Sequence, residues 1–550
     1  MVDLVLSGGP VFTAGAVRAR PTAVAVDGGR IVAVGHDEVL DLAGPRTERV
    51  DLRGRMLLPG FQDAHVHPVW AGVDMARCDL SGLATAEAYL ERVGEYSREH
   101  PDEEWVLGAG WSMAAFPGGT PTAAALDAVV GDRPAFLPNR DGHGAWVSSA
   151  ALRLAGIDRH TPDPRDGRIE RDAAGTPTGC LHEGAMALVG GLAPETTEAE
   201  RLEGLLRAQA HLHALGVTAW QDAIIGEHGD GGDPSGAYRA ADEAGLLTAR
   251  VVGALWWDRD AGLEQVPDLV ARRDALSTPG FRATTVKIMQ DGVPENFTAA
   301  MLDPYCDGHG RSTDNAGISF VPVETLGPAA VALDAAGFQL HFHAIGDRAV
   351  RECLDAVEAA LRANGRRDAR HHLAHLQVVH PDDVPRFRDL GVVATIQAFW
   401  AVLEAQMVEL TLPFLGEPRA SWQYPFGDLQ RSGAVLAMGS DWAVSTADPL
   451  AAIHVAVNRT VPDGHRHGEP EHPVFLPEQR IDLATALTAY TAGSAYVNHL
   501  DDTGTIRPGA LADLVVLDRD PFAAPPDEIA AARVLETFVG GRRVFAASEG

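Results

Sequence analysis

Lysine is almost missing from this sequence. Of 45 Lys and Arg side chains in 550 residues, one is lysine, Lys287, and the other 44 are arginine. The two substitute for one another on a solvated surface, so a chain can drift toward arginine there. A lysine persists where arginine cannot act, because only lysine has an accessible neutral amine. Cysteine is also scarce. Cys78, Cys180, Cys306 and Cys353 stand far apart with no CxxC pair, which excludes a disulfide frame or a zinc knuckle and suggests buried thiols in a reducing compartment. Positive charge is outweighed: the net charge is −31, which argues against nucleic acid or an anionic membrane surface as a partner. No apolar run has the length of a signal peptide or of a membrane span of about 20 residues. A cytoplasmic protein is expected. With 46 % apolar and 22 % charged residues the chain is globular rather than disordered, and its length calls for two or three domains.

What is present begins with β-structure at both ends. Short strand-like runs fill residues 2–59, with a hairpin signal at Asp27-Gly28-Gly29. Ala512–Asp518 and Arg533–Phe545 repeat the pattern, with a second hairpin at Gly540-Gly541. Neither end buries a core alone, so residues 1–59 and 497–550 are expected to pack as one composite β-domain. Between them eight strand-like runs alternate with helical ones: Leu57–His67, Val217–Asp222, Ala249–Trp256, Thr284–Met289, Phe338–His343, His371–Gln377, Val392–Gln397 and Val435–Asp441. Eight βα units imply parallel strands closed into a (β/α)8 barrel over residues 60–496. The interval after the first strand is too long for one crossover. An inserted subdomain of mixed helical and loop signals is expected at about residues 80–205.

Chemistry-bearing residues gather at the strand ends, the active-site face of such a barrel. His65 and His67 alternate on one strand and so share a face, as two imidazoles on one cation must. Lys287 lies in the fourth strand, His343 ends the fifth, His375 lies in the sixth and Asp441 ends the eighth. A single such histidine is more often a satisfied core residue than a ligand, and a single lysine can lay its stem along apolar surface with its head in solvent. Together the six match the nitrogen and oxygen donors that zinc and similar divalent ions take. From the residues alone Lys287 has three readings: a Schiff-base amine, a general base, or a lysine carboxylated by CO2 that bridges two ions.

The chain resembles the amidohydrolase superfamily, and within it the amidohydrolase-3 branch that includes N-substituted formamide deformylases. The carrying stretches are Leu58-Pro-Gly-Phe-Gln-Asp-Ala-His-Val-His67, Lys287-Ile-Met-Gln-Asp-Gly-Val293, His343-Ala-Ile-Gly-Asp-Arg-Ala349, Leu373-Ala-His-Leu-Gln377, Gly439-Ser-Asp-Trp442 and Gly504-Thr-Ile-Arg-Pro-Gly-Ala-Leu-Ala-Asp-Leu-Val-Val516. In the insertion Asp132-Arg-Pro134 and Asp141-Gly-His-Gly-Ala-Trp-Val147 match as well. Ala510, where relatives carry Lys, and Ser148, where Asn is common, depart from the pattern. The resemblance implies a metal-dependent TIM barrel with an inserted subdomain and a small β-sandwich built from both chain ends. It further implies His65, His67 and Asp441 on one divalent ion, His343 and His375 on a second, zinc as the metal, and carboxylated Lys287 between them. Asp441 would be the catalytic proton carrier, serving a metal-bound hydroxide that attacks an amide.

Other candidates stand beside these. His143, Trp111, Asp291, Trp400 and Trp442 are expected to contact substrate, with Phe399 nearby. A surface turn at His143, a simple turn at Asp291 and ordinary packing of the aromatics are the structural alternatives. Asp63 is expected to orient its strand, His341 to be core, and Glu183 to be at most a polar pocket residue. The expected activity is hydrolysis of a C–N bond in a small N-substituted amide or formamide, with homo-oligomerisation open. A lactonase, esterase or deaminase is the enzymatic alternative; a metal-free regulatory or scaffold protein is the alternative of another class.

Overall fold

The computed structural model describes residues 2–15, 21–227, 232–465 and 473–548. Its centre is one eight-stranded parallel sheet: β1 (Phe61–Val66), β2 (Val217–Ile225), β3 (Arg250–Trp256), β4 (Phe281–Met289), β5 (Gln339–Ala344), β6 (His372–His375), β7 (Val393–Ile396) and β8 (Leu436–Met438). Each strand pairs with the next in sequence. Six of the eight are at least four-fifths buried, and β1, β5, β6, β7 and β8 are buried throughout, as parallel strands covered on both faces must be. Helices such as Val323–Ala335 and Asp347–Asn364 cover the outside.

All eight strands predicted from alternation are present, with one correction. The first run is not a single strand. Met56–Pro59 pairs antiparallel with Leu514–Leu517, while β1 begins at Phe61 and enters the barrel. Gly60 is the switch between the two sheets. A Cβ there would lie 2.3 Å from Thr218 Oγ1, so the close approach of β2 demands glycine.

The barrel closes between β8 and β1 through the residues that follow β8 and the C-terminal end of β1. Asp441 N–H donates to His65 O (2.8 Å), and His67 N–H donates to Trp442 O (2.8 Å). The Asp63 carboxylate spans the seam, accepting from His65 N–H (3.0 Å) and Ser440 N–H (3.1 Å). Asp63 therefore orients β1, as expected.

Two four-stranded sheets form the β-sandwich. One orders Arg30–Gly35, Ala23–Asp27, Val2–Ser7 and Ala43–Asp51; the other orders Arg542–Ala546, Val534–Val539, Leu514–Leu517 and Met56–Pro59. Leu4, Leu6, Val24, Leu57, Val516 and Phe538 share one apolar core from both chain ends. Each end alone leaves an apolar face bare, and packing the two removes it from water.

The inserted subdomain departs from the expectation of helix and loop. It carries a six-stranded mixed sheet ordered Gly167–Arg171, Pro177–Glu183, Gly144–Val147, Ala135–Pro138, Val106–Ala109 and Cys78–Asp79. These strands have two to seven residues and mix parallel with antiparallel pairing, so no single regular alternation marks them as one sheet. All four cysteines are free thiols. Among the described residues no helix is long and apolar enough to cross a membrane.

Candidate metal centre

The C-terminal strand ends open into a cavity of about 500 Å³, lined by His65, His67, Lys287, His343, His375 and Asp441. Strand register brings them there. Lys287 pairs across to His341, Met289 to His343, and Ala344 to His375, and the fourth, fifth and sixth strands each give a polar side chain to the same cavity.

His67 Nε2 lies 2.9 Å and His65 Nε2 3.2 Å from the same oxygen, Asp441 Oδ1. Donor atoms of the three residues all fall within 4.8 Å of one another. His375 Nδ1 is 3.9 Å from the other Asp441 oxygen. His375 packs edge-on to His343 at 4.4 Å between ring centroids and to His65 at 4.7 Å. Lys287 Nζ lies 3.3 Å from His65 Nε2.

Polar atoms are left over in this cluster. His375 Nδ1 and Nε2, His67 Nδ1 and Asp441 Oδ1 are buried without a hydrogen-bond partner among the described residues. The short His67–Asp441 approach lacks hydrogen-bond geometry, so Asp441 Oδ1 stays unsatisfied despite it. Buried polar groups are normally paired. Several orphans converging on one cavity form a donor set of the kind that holds a divalent cation.

The electrostatics agree. Burial pushes the Lys287 amine down to about 8, against the Asp441 and Asp222 charges. Burial, helped by Lys287, pushes His65 down to about 3, and burial holds His343 and His375 well below the ordinary imidazole value. Burial opposes the charge on Asp441, but the His65 and His67 imidazoles hold its carboxyl well below the usual range. Neutral imidazoles beside an ionised carboxylate are the protonation states a cation requires of its ligands.

The backbone is unusual at the same places. His375 (φ 78°), Asp441 (φ 55°) and Glu183 (φ 52°) have left-handed φ values that side chains with a Cβ rarely adopt. Such conformations cost about 1–3 kcal/mol each and persist where the surroundings over-determine them. Gln397 Oε1 accepts from His375 N–H at 2.6 Å, and His65 O accepts from Asp441 N–H.

The remaining candidates separate. His143 and Trp400 line the cavity, and Trp400 stacks on His375 with planes 5° apart. His143 comes from the insertion, its ring 5.6 Å from that of His343. Asp291 sits behind the cavity wall, its Oδ1 3.2 Å from His343 Nδ1. Burial pushes its carboxyl up to about 7, against backbone N–H donors from Gly346, Ile345 and Ala300. Trp111 is not in the cavity. It is fully buried in the insertion core, donates its indole N–H to Leu137 O (2.7 Å) and packs edge-on to Phe116. Trp442 lines a neighbouring cavity of about 450 Å³ and lies against His211. Its backbone carbonyl serves the barrel seam. Phe399 borders both cavities.

Sequence reasoning passed over Asp222, Glu295 and Arg140, which also line the main cavity. Asp222 stood in plain view as the polar end of a predicted strand. Glu295 lies in a single turn, Pro294–Asn296, and Arg140 in a loop of the insertion. Neither position has a periodic signal. Glu183 was underweighted: both its oxygens lie 3.0 Å from His143 Nδ1.

The chain is 31 % identical to Protein LONG AFTER FAR-RED 3 of Arabidopsis thaliana, covering 99 % of this chain and 92 % of that protein. It is 29 % identical to an N-substituted formamide deformylase of Arthrobacter pascens, covering 98 % of each. Its fold matches a solved uncharacterized metal-dependent hydrolase from Pyrococcus horikoshii OT3 (TM-score 0.72, 25 % identity, 95 % of this chain and 99 % of that one). A second, from Pyrococcus furiosus, matches with TM-score 0.70 and 26 % identity over 94 % of this chain and 99 % of that one. The model of the Amidohydrolase family matches residues 48–545, from the β-sandwich through the barrel and back. The donor cluster at the strand ends thus lies inside a match that spans nearly the whole sequence, and the chain belongs to the amidohydrolase family.

Proposed function

We propose that this chain hydrolyses the C–N bond of a small N-substituted amide, formamides foremost, at the cavity of the donor cluster. The observation that carries the reading is Lys287. The residue is 3 % exposed, and the hydrogen-bond partner of its amine is an imidazole rather than a carboxylate. A buried ammonium without a close carboxylate is costly. A neutral amine can instead bond through Nζ to the carbon of CO2, losing one proton and gaining a carboxylate. His65, His67 and Asp441 would hold one divalent ion, zinc foremost, and His343 and His375 a second, with carboxylated Lys287 between them. Bound there, such ions lower the pKa of water and polarise the amide carbonyl.

The chain's own residues do the rest. Asp441 takes the proton of the attacking water as its oxygen bonds to the carbonyl carbon. It then hands that proton to the amide nitrogen as the C–N bond breaks, since an unprotonated amine leaves poorly. His143, held by Glu183, reaches over the cluster from the insertion and hydrogen-bonds the substrate. Trp400 supplies an apolar wall beside His375 and excludes water on that side. Asp291, bonded to His343 Nδ1, leaves the other ring nitrogen of that imidazole free for a cation. Its part is to orient His343 rather than to touch substrate. The similarity to a formamide deformylase supports the amide class.

The test combines two measurements on protein expressed with zinc and bicarbonate. Plasma mass spectrometry counts ions per chain, and amine release is followed over a panel of N-substituted formamides and longer linear amides. About two ions per chain with amine release supports the reading. Bound metal with ester or lactone cleavage alone moves it to a lactonase or esterase, and no metal moves it to a non-catalytic protein.

A further inference from the structure

The layer beneath the donor cluster is polar where a barrel core is usually apolar. His65 Nδ1 lies 2.8 Å from Nε2 of His341, which is fully buried in β5. His341 in turn lies against His372, with ring centroids 4.0 Å apart.

The tautomers of this layer can be worked out from its amides. The Gln339 amide nitrogen donates to the carbonyls of Arg370 (2.8 Å) and Val497 (2.6 Å), so its Oε1 is an acceptor. It receives the Thr285 hydroxyl (2.8 Å) and one proton of Gln221 Nε2 (3.3 Å). Gln221 Nε2 also donates to Asn498 Oδ1 (3.1 Å), so Gln221 Oε1 accepts from His372 Nε2 at 3.0 Å. His372 Nδ1 is then bare and takes the Thr395 hydroxyl at 2.9 Å. His372 is a neutral ring with a fixed tautomer.

His65 and His341 retain two arrangements. In one, His341 Nε2–H donates to a bare His65 Nδ1, and His65 carries its own proton on Nε2, toward Asp441. In the other, His65 Nδ1–H donates to a bare His341 Nε2, and His65 Nε2 is bare toward the cavity. An imidazole binds a cation only through a bare nitrogen, so only the second can serve one. It places the His341 proton on Nδ1, which has no hydrogen-bond partner among the described residues. An unpaired buried donor is unfavourable, while Lys287 Nζ, 3.3 Å from His65 Nε2, can donate to that nitrogen when it is bare.

We propose that His341 is a positioning residue that sets the tautomer of His65, its Nε2 accepting the hydrogen bond of His65 Nδ1–H when a divalent cation occupies His65 Nε2. The proposal rests on His65 holding a cation, as in the reading above. In the arrangement a cation requires, each of the two rings is neutral and carries its one proton on Nδ1.

Zinc affinity, read as metal retained by the full chain against graded nitrilotriacetate, tests it. His341→Leu removes the acceptor and should weaken zinc binding by about 10–100-fold, the usual cost of losing a partner that orients a ligand. His341→Gln, whose carbonyl can accept the same hydrogen bond, should stay near wild type. Nitrogen-15 histidine spectra should show His65 and His341 protonated on Nδ1 with zinc. Equal zinc affinity of wild type and folded His341→Leu would overturn the proposal while leaving the metal reading intact. If His341→Leu does not fold, the spectra decide: a His341 protonated on Nε2 in the zinc-loaded wild type refutes it. A wild type that binds no zinc under any condition would remove the metal reading and this inference together.

Discussion

Nδ1 of His143 lies 3.0 Å from both carboxylate oxygens of Glu183. The two sit side by side because Gly144 pairs with His182 across adjacent strands of the inserted sheet. Thr298 Oγ1, from the loop after β4, donates to Glu183 Oε1 at 2.7 Å and ties the pair to the barrel. Burial opposes the charge on His143, but Glu183 pushes its pKa up to about 9 from the ordinary 6.5. A raised histidine pKa contributes stability that is complete below about 6.5 and is lost as pH rises through about 9. Glu183→Gln should remove that contribution. Its thermal midpoint should fall below that of wild type near pH 6, and the gap should narrow toward pH 10. Parallel melting curves from pH 6 to 10 would show that the pair adds nothing.

Gly292 guards the same junction. A Cβ built there would lie 2.1 Å from Thr298 Oγ1 and 2.5 Å from Glu183 Oε1. Gly292→Ala should destabilise the chain by about 1–3 kcal/mol, the range for overpacking, and displace His143. Chemical denaturation measures the first, and the KM for an accepted amide should rise with metal content unchanged. An unaltered KM would free His143 from substrate contact.

Asp441→Asn keeps the shape of the side chain and removes its ability to carry a proton. The variant should fold and lose roughly 10²–10⁴-fold in kcat, the range for positioned acid–base groups. Metal should be counted in the same preparation, since the Asp441 oxygens also face His65, His67 and His375. Turnover near wild type would end its role as proton carrier.

Lys287→Arg is the sharper companion to Lys287→Ala. Arginine keeps the charge but cannot form a carbamate. Both variants should lose bound metal and activity, and Lys287→Ala should recover part of each on adding a short carboxylic acid. Metal retention in Lys287→Arg equal to wild type would return Lys287 to a structural side chain.

The barrel was readable because its strands are buried on both faces, and burial writes continuous apolar runs such as Val251–Trp256 and Val435–Met438 into the chain. The meeting of His65, His67, Lys287, His343, His375 and Asp441 at one cavity was readable for a related reason. Each lies within a recognised strand or at its end, and position along a strand decides what reaches the mouth of a barrel. The inserted sheet was not readable. Its pairing joins Cys78 to Gly108 in parallel and Gly144 to His182 in antiparallel sense, so no single regular alternation betrays it. Trp111 and Trp400 look alike as isolated tryptophans. One is sealed in the insertion core and the other stacks on His375.

The sequence by itself determined the βα alternation, the pairing of the two chain ends, and the residue types able to hold a cation, because these follow from local periodicity and side-chain chemistry. Tertiary structure alone decided that Gly60 divides the first run between two sheets. It also decided that Glu183 of the insertion meets Thr298 of the barrel, and that His341 stands under His65. Those contacts join residues 115 to 276 positions apart. Their distances are set by sheet register and barrel closure, and no stretch of neighbouring residues encodes either one alone.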